Sequence, residues 1–280
     1  PAGWTDVGFD DRERPAAIEL AGSHVGATGD PRPPTHPFGP LLSRPIPKLT
    51  GLPRSAGVIA AVTVSSSGEC DDPVAQIEAD ERGEVTASVS VSDLPLLLDV
   101  AGGVPLLTLD FGETVAGTVI LEADATEGTR FDVSVAEGLT ARGALDRLDQ
   151  HSGFRYVARG HADRFESFDC LGFRFARVAV RNARGAVTLR RFQVAERLFP
   201  RPSGASFACS DPLLERIWAI GRRTVDLCSH DAYIDCPSRE QRAWTGDSVV
   251  HLMVDLATNP DWSLARRHVE MTASCRPDGM

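Results

Sequence analysis

The sequence predicts a multidomain chain that is β in its first two hundred residues and α after them. Three observations carry this. Between 105 and 197, apolar residues recur at every second position in several short runs separated by glycines, the pattern of antiparallel strands with one buried face. At about residue 200 the linker Phe199-Pro200-Arg201-Pro202-Ser203-Gly204 interrupts that pattern,. Beyond it the apolar spacing becomes helical. The reading is antiparallel β-sandwich domains followed by the first helices of a helical domain, with domains at 1–100, 101–200 and 201–280.

Residues 1 to about 57 are rich in Pro and Gly, and segments such as Asp30-Pro31-Arg32-Pro33-Pro34 and Arg44-Pro45-Ile46-Pro47 predict extended loop,. Gly3-Trp4 through Phe9-Asp10-Asp11 reads as the tail of a β-sandwich. Two β-type runs follow, Val58–Val64 and Val85–Val91, with a polar acidic loop expected between them from Glu69 to Glu84,. Leu107, Leu109 and Phe111 alternate with Leu106, Thr108 and Asp110; Val119 and Leu121 are expected to follow a turn at Gly117. Phe131, Val133 and Val135, then Phe173 to Val180, then Val187 to Val194, continue the series, and polar residues 138–152 read as a long loop.

Asp211-Pro212 is a helix start, because Asp caps the free N–H groups and Pro suits the first turn, where its missing N–H costs nothing,. Leu214, Ile217, Trp218 and Val225 follow at helical spacing,. Val250, Met253, Val254 and Ala257 mark a second helix, and Leu264, His268, Met271 and Cys275 a third, opened by Asp261. Three helices are too few to enclose a core. Pro1-Ala2-Gly3-Trp4 and the turn-like Arg276-Pro277-Asp278-Gly279-Met280 both read as cut ends, so the expectation is a piece of a longer protein.

A net charge of −10 argues against nucleic acid and against a basic membrane-docking surface,. No run approaches the ~20 apolar residues of a membrane span. The six cysteines show neither CxxC nor a zinc-type spacing with histidine,. They predict reduced structural thiols, no metal site, and a cytoplasmic setting over a secreted one.

The densest chemistry lies at Asp235-Cys236-Pro237-Ser238-Arg239-Glu240-Gln241-Arg242-Ala243-Trp244-Thr245-Gly246-Asp247. Glycoside cleavage in most families uses two carboxyl groups across the scissile bond, one of them a general acid whose proton is retained by burial or by neighbouring negative charge. If the chain is helical from about 239, Glu240, Trp244 and Asp247 fall on one face. Asp235 and Asp247 then flank Glu240 and disfavour its ionisation, Trp244 offers a flat surface to a sugar ring, and Arg239 and Arg242 hold the aspartates or donate to hydroxyls. A purely structural reading stands beside this one: Ser238 and Gln241 as a capping box, Asp235 and Asp247 as helix caps, Trp244 as core. On the same footing, His230 reads as a pocket edge or as a partner of a helix C-terminus, His251 and His268 as core or surface residues, and Cys236 as a buried thiol with no base paired to it.

The 235–247 stretch resembles the signature of the bacterial α-L-rhamnosidases of glycoside hydrolase family 78, with Ser238 and Ala243 where Gln and Gly are usual. Gly3-Trp4 with Gly8–Asp11, Leu109–Gly117, Leu171–Phe175 and Arg276–Met280 resemble further runs of that family. The resemblance implies β-sandwich domains before an (α/α)6 barrel, of which only the first helices are present. It implies an inverting, cofactor-free exo-α-L-rhamnosidase acting on rhamnose-containing carbohydrate. Glu240 matches the family's general acid; Asp235, Arg239, Trp244 and Asp247 match residues that bind the sugar. The general base is a second Glu further on in such proteins, so this stretch alone is expected to be inactive. Two alternatives remain: an (α/α)6 glycosidase of other specificity, or a non-catalytic carbohydrate-binding protein.

Overall fold

The structure is a computed structural model that describes residues 7–15, 43–65, 68–89, 93–148, 151–202 and 205–274. The expectations placed on Gly3-Trp4, on Asp30–Pro34 and on Arg276–Met280 lie outside those residues. The chain divides into two compact units, Pro1–Pro45 and Ile46–Met280. In the first, Asp10 and Arg12 form an exposed ion pair at 2.6 Å, and the N–H of Arg14 donates to the carbonyl of Asp11.

The second unit is organised around one strand. In chain order its β elements are β1 (Leu52–Ser55), β2 (Gly57–Val64), β3 (Val85–Val89), β4 (Leu96–Leu98), β5 (Val104–Asp124), β6 (Arg130–Ala136), β7 (Gly138–Leu139), β8 (Leu145–Asp146), β9 (Gly153–Val157), β10 (Asp163–Glu166), β11 (Leu171–Arg181) and β12 (Val187–Glu196). All pairings are antiparallel. The first half of β5 lies between β2 and β11, giving a layer β3–β2–β5–β11–β6–β9. Its second half lies between β12 and β10, and β12 in turn carries β1 and β4. The register against β11 jumps from Asp110↔Phe175 to Val115↔Phe173. The intervening Phe111-Gly112-Glu113-Thr114 carries the chain from one half to the other, with Gly112 at φ +78° and its N–H on Asp110. The main core lies between the two halves. Leu107, Leu109, Phe111, Val119 and Leu121 of β5 meet Phe131 and Val133, Phe173 and Val178, and Leu189 and Phe192 there. Phe111 stands edge-on to Phe173 at 5.4 Å,.

Four expectations change. The acidic stretch 69–84 holds a helix, α1 (Pro73–Asp80), not only loop. Asp72 caps it, accepting from the N–H groups of Val74 (2.8 Å) and Ala75 (3.1 Å), and Pro73 occupies the first turn,. Second, β5 is buried on both faces: Leu106 packs with Ile77, Val64, Val104 and Ala179 beneath α1. Third, Gly117 is a mid-strand residue and no turn. A Cβ there would lie 2.1 Å from the Ala195 carbonyl oxygen, so only glycine lets β12 approach,. Fourth, residues 138–152 contain the small hairpin β7–β8, anchored by Leu145 against Ala136 and Phe175.

Three helices follow: α2 (Pro212–Leu227), α3 (Thr245–Thr258) and α4 (Ser263–Ser274). Asp211 caps α2 through the Leu213 N–H at 2.9 Å, and Asp261 accepts from the Ser263 N–H at 2.9 Å. Leu213, Leu214, Ile217 and Ile220 of α2 remain exposed, as do Val249, Val250, Met253 and Leu256 of α3. Two small clusters are buried here, Tyr233, Leu264 and Ala265 with Ile46 and Phe199, and Leu227 of α2 with Ala116 and Leu198; among the described residues the helices do not enclose a core of their own.

Candidate active site

The segment between α2 and α3 is held from below by a buried polar network. Arg201, in the linker after β12, pairs with Asp226 of α2 and Asp255 of α3. Its second terminal nitrogen donates to Ser229 Oγ at 3.2 Å. The Tyr233 hydroxyl donates to Asp255, and Asn259 adds a donor to the same carboxylate at 3.2 Å. A buried carboxylate with this many donors stays satisfied. The effect is to pin residues 228–235 onto the two helices that flank them.

Above this floor the chain closes a short loop. The Asp235 N–H donates to the Arg242 carbonyl at 2.9 Å, and the Arg242 N–H returns to Asp235 Oδ1 at 2.8 Å. Burial works to raise the Asp235 pKa, but hydrogen bonds from the Arg242 N–H and the Cys236 thiol outweigh it, so the carboxyl sits below its ordinary range,. Inside the loop, Pro237–Glu240 form a turn and Gln241 takes the left-handed conformation at φ +50°. The helix predicted from about 239 therefore starts only at Thr245. Gln241 is no capping-box partner for Ser238, which is buried. Its amide donates to the carbonyls of Pro237 (2.7 Å) and of Cys170 (2.8 Å), at the foot of β11.

The predicted residues are distributed unevenly around this loop. Glu240 and Trp244 meet directly, the indole N–H donating to Glu240 Oε2 at 2.6 Å, and both are exposed. Arg239 stands on the exposed turn, with no ion pair or hydrogen bond among the described residues. Asp247 lies on the first turn of α3. Neither Asp235 nor Asp247 hydrogen-bonds Glu240. Both carboxylates instead act on His251, one helical turn beyond Asp247. Burial lowers the His251 pKa, and Asp247 and then Asp235 oppose that shift. His251 Nδ1 has no hydrogen-bond partner among the described residues. Spacing four residues after Asp247 was the only signal for it in the sequence. Cys236 is half-buried and not fully buried, its thiol 3.3 Å from Asp235 Oδ2. His230 Nε2 lies 3.0 Å from the Leu227 carbonyl, at the end of α2,. Among the described residues no group of His, Cys, Asp and Glu is arranged to hold a metal, and no helix is long and apolar enough to cross a membrane.

Comparison with known proteins covers both the sheet and this loop. Residues 105–196 match the family model described as the bacterial α-L-rhamnosidase concanavalin-like domain. Residues 202–272 match the bacterial α-L-rhamnosidase 6 hairpin glycosidase domain. The α-L-rhamnosidase of Formosa agariphila is 28% identical over 152 residues, 50% of this chain and 16% of that protein. The GH78 family rhamnosidase of Bacillus sp. GL1 superposes with a TM-score of 0.64 at 27% identity, over 72% of this chain and 23% of that one. The rhamnosidase from Klebsiella oxytoca with rhamnose bound shares the fold at a TM-score of 0.59 and 16% identity, over 82% and 45% of the two chains. The chain thus spans about a sixth to under a half of these relatives. Two adjacent domain matches in one order, a curated relative and a superposable structure agree: the chain belongs to the bacterial α-L-rhamnosidase family, glycoside hydrolase family 78.

Proposed function

We propose that the protein to which this chain contributes is an inverting exo-α-L-rhamnosidase, and that Glu240 is its general acid. The observation that carries the assignment is the Trp244 N–H fixed on the Glu240 carboxyl at 2.6 Å, beside an Asp235 held ionised by its own loop. One carboxyl is oriented at an open surface, next to an aromatic face on which a sugar can stack. In this reading Asp235, Arg239 and Asp247 bind the hydroxyls of terminal rhamnose, and Trp244 both stacks and orients.

The chemistry follows. Glu240 gives its proton to the departing glycosidic oxygen as the bond from that oxygen to the anomeric carbon breaks. A water attacks the same carbon from the opposite face and yields its proton to a second carboxylate. Inversion needs the two carboxyls about 6.5–9.5 Å apart. We assign the second one to sequence outside these 280 residues, so the chain alone does not turn over. Residues 201–280 then contribute to an (α/α)6 catalytic barrel, with exposed Ile217, Ile220, Val250 and Met253 facing its remaining helices. Residues 101–200 form the supporting sandwich, and 1–100 add the tail of a preceding one with extra strands. The free thiols at Cys70, Cys170, Cys209, Cys228 and Cys236 support a reducing, cytoplasmic setting,.

The test uses the complete protein. Release of p-nitrophenol from α-L-rhamnoside and from a panel of other glycosides is measured for wild type and Glu240→Gln, together with a natural rhamnoside whose leaving group needs protonation. Rhamnoside turnover that collapses in the variant, most strongly on the natural substrate, supports the assignment. Turnover confined to another sugar discards the specificity. Rhamnose binding without turnover on any glycoside discards the enzyme.

A further inference from the structure

A second candidate site lies on the outer face of the sheet. One cross-strand row there runs Ala60, Thr108, Arg177, Ser134. Helix α1 packs on the neighbouring row through Ile77, and Arg147 lies over the end of this one, its Nε donating to Ser134 Oγ at 3.1 Å. Between the C-terminal end of α1 and the β7–β8 hairpin remains a groove of about 850 Å³, floored by Thr108 and Arg177. That volume is in the range of small-ligand sites.

Its electrostatics are out of balance. Arg147 and Arg177 line the groove with side chains only 9% and 8% exposed. They share one buried carboxylate, Glu81, at 2.9 Å from Arg147 and 3.3 Å from Arg177. Glu78 is a distant second partner for Arg147 at 3.8 Å. Asp80, the other acid of the lining, is engaged by Arg181. Arg147 Nη2 is buried with no hydrogen-bond acceptor among the described residues, whereas Arg177 donates through Nη2 to the Gly143 carbonyl and its Nε faces Glu81 without the alignment of a hydrogen bond. Burial presses the Arg177 pKa down; Glu81 resists that and Arg147 adds to it. At the rim stand Arg82 and Arg142, both exposed and without an ion-pair partner among the described residues. The carbonyl end of α1 contributes only a fraction of a negative charge. Four guanidinium groups thus face two available carboxylates. Under-compensated buried cations with unmet donors are costly unless an anion completes them.

We propose that this groove binds a carboxylate-bearing saccharide, a uronate residue of an acidic glycan, at a site separate from Glu240. The guanidinium groups take the carboxylate, Thr108 takes a hydroxyl, and the half-buried Ala60 and Val62 of β2 take a sugar face,. The saccharide half of the assignment rests on the glycosidase reading; the anion half does not.

Calorimetric titration of the 280-residue chain with D-galacturonate, D-galactose and sodium sulfate tests it. Galacturonate is expected to bind at or below about 10 mM and galactose, which lacks only the carboxylate, is not. Arg177→Met is expected to weaken binding by about tenfold or more, the loss of a charge-assisted hydrogen bond. Since Arg177 is buried, the exposed pair Arg82→Glu/Arg142→Glu provides the same test without a folding risk. Its circular dichroism should match wild type, and the complete protein carrying it should keep its rhamnoside turnover. Sulfate binding as tightly as galacturonate overturns the saccharide assignment, and silence toward both overturns the site. Galacturonate binding by a protein with no glycosidase activity leaves this site standing while the catalytic reading fails.

Discussion

Gly172 of β11 lies directly against Pro237 of the Glu240 loop: a Cβ at Gly172 would stand 2.2 Å from the Pro237 carbonyl oxygen. Backbone cannot yield as a side-chain tip does, so Gly172→Ala is expected to push the loop off the sheet and cost about 1–3 kcal/mol. Thermal melting should show a fall of several degrees, and rhamnoside turnover by the complete protein should fall with it. Gly185→Ala is the control, since its nearest neighbour would be an ordinary 3.9 Å away. Equal melting of the two variants would remove the sheet from the support of the site.

Trp244→Phe keeps an aromatic face and deletes the donor to Glu240. The carboxylate that Glu240 becomes as its proton leaves then lacks that donor, and a hydrogen bond to a charged group contributes about 1.5–3 kcal/mol, so kcat of the complete protein on a rhamnoside should drop by about 10- to 100-fold with KM nearly unchanged. Trp244→Ala should raise KM as well. A Phe variant of undiminished kcat would assign Trp244 to stacking alone.

Both oxygens of Asp110 are held by Arg174, at 2.8 and 2.9 Å. This bond, ahead of the opposing burial and the Gly112 N–H, holds the carboxyl below its ordinary range. A depressed folded pKa contributes stability that is complete above the unfolded value of about 3.9 and is lost as pH falls through the lower folded value. Melting temperature measured from about pH 5 down to about pH 2 should therefore fall less steeply in Arg174→Met than in wild type. Parallel curves would mean the pair contributes nothing.

Helix α1 supplies a stability test. Asp72→Ala removes two cap bonds and should cost about 1 kcal/mol. Ile77→Ala empties a fully buried position under the helix and should cost about 2–5 kcal/mol. Denaturant midpoints check both, and an Ile77 variant milder than the Asp72 one would contradict the packing described.

Thiol reactivity should follow burial. Cys70 and Cys209 are exposed. Burial raises the Cys170 pKa to about 11, against Arg197, and the Cys228 pKa to about 12, with Cys236 and Asp235 adding to it. Iodoacetamide at mild alkaline pH followed by mass spectrometry should label the first two in the native protein and the latter two only after unfolding. Rapid native labelling of Cys228 would place it at the surface.

The sequence carried the β-to-α order because the spacing of apolar residues changes at the 199–204 linker. It carried α2 through Asp211-Pro212, and the same dipeptide at Asp72-Pro73 opens α1 with less apolar spacing behind it. Helix α1 has only Val74 and Ile77 as large buried apolar residues, too few for a helical period to stand out in an acidic stretch. The double burial of β5 was hidden because Thr108 and Asp110 gave the face of Leu106 a polar look. Gly117 resembled a turn because glycine marks close backbone approach as well as reversal. At the site, residue types were legible and their geometry was not. Gln241 at φ +50° breaks the helix that the spacing of Glu240, Trp244 and Asp247 suggested. The side chains that pin the loop, Arg201, Tyr233 and Asp255, are brought together only by the packing of α2 and α3.

The long shared strand β5 has a consequence for how the protein is made. Its partners come from both sides of it in the chain: β2 precedes it, and β12 ends only at Glu196. During synthesis the edge at Gly117–Asp124 stays unpaired, with Val119 and Leu121 uncovered, until residue 196 has left the ribosome. An apolar strand edge left open is a template for pairing with another copy. Any expressed piece that stops short of β12 should therefore accumulate as aggregate, whatever fraction of the catalytic loop it lacks, and one that extends just past it should not.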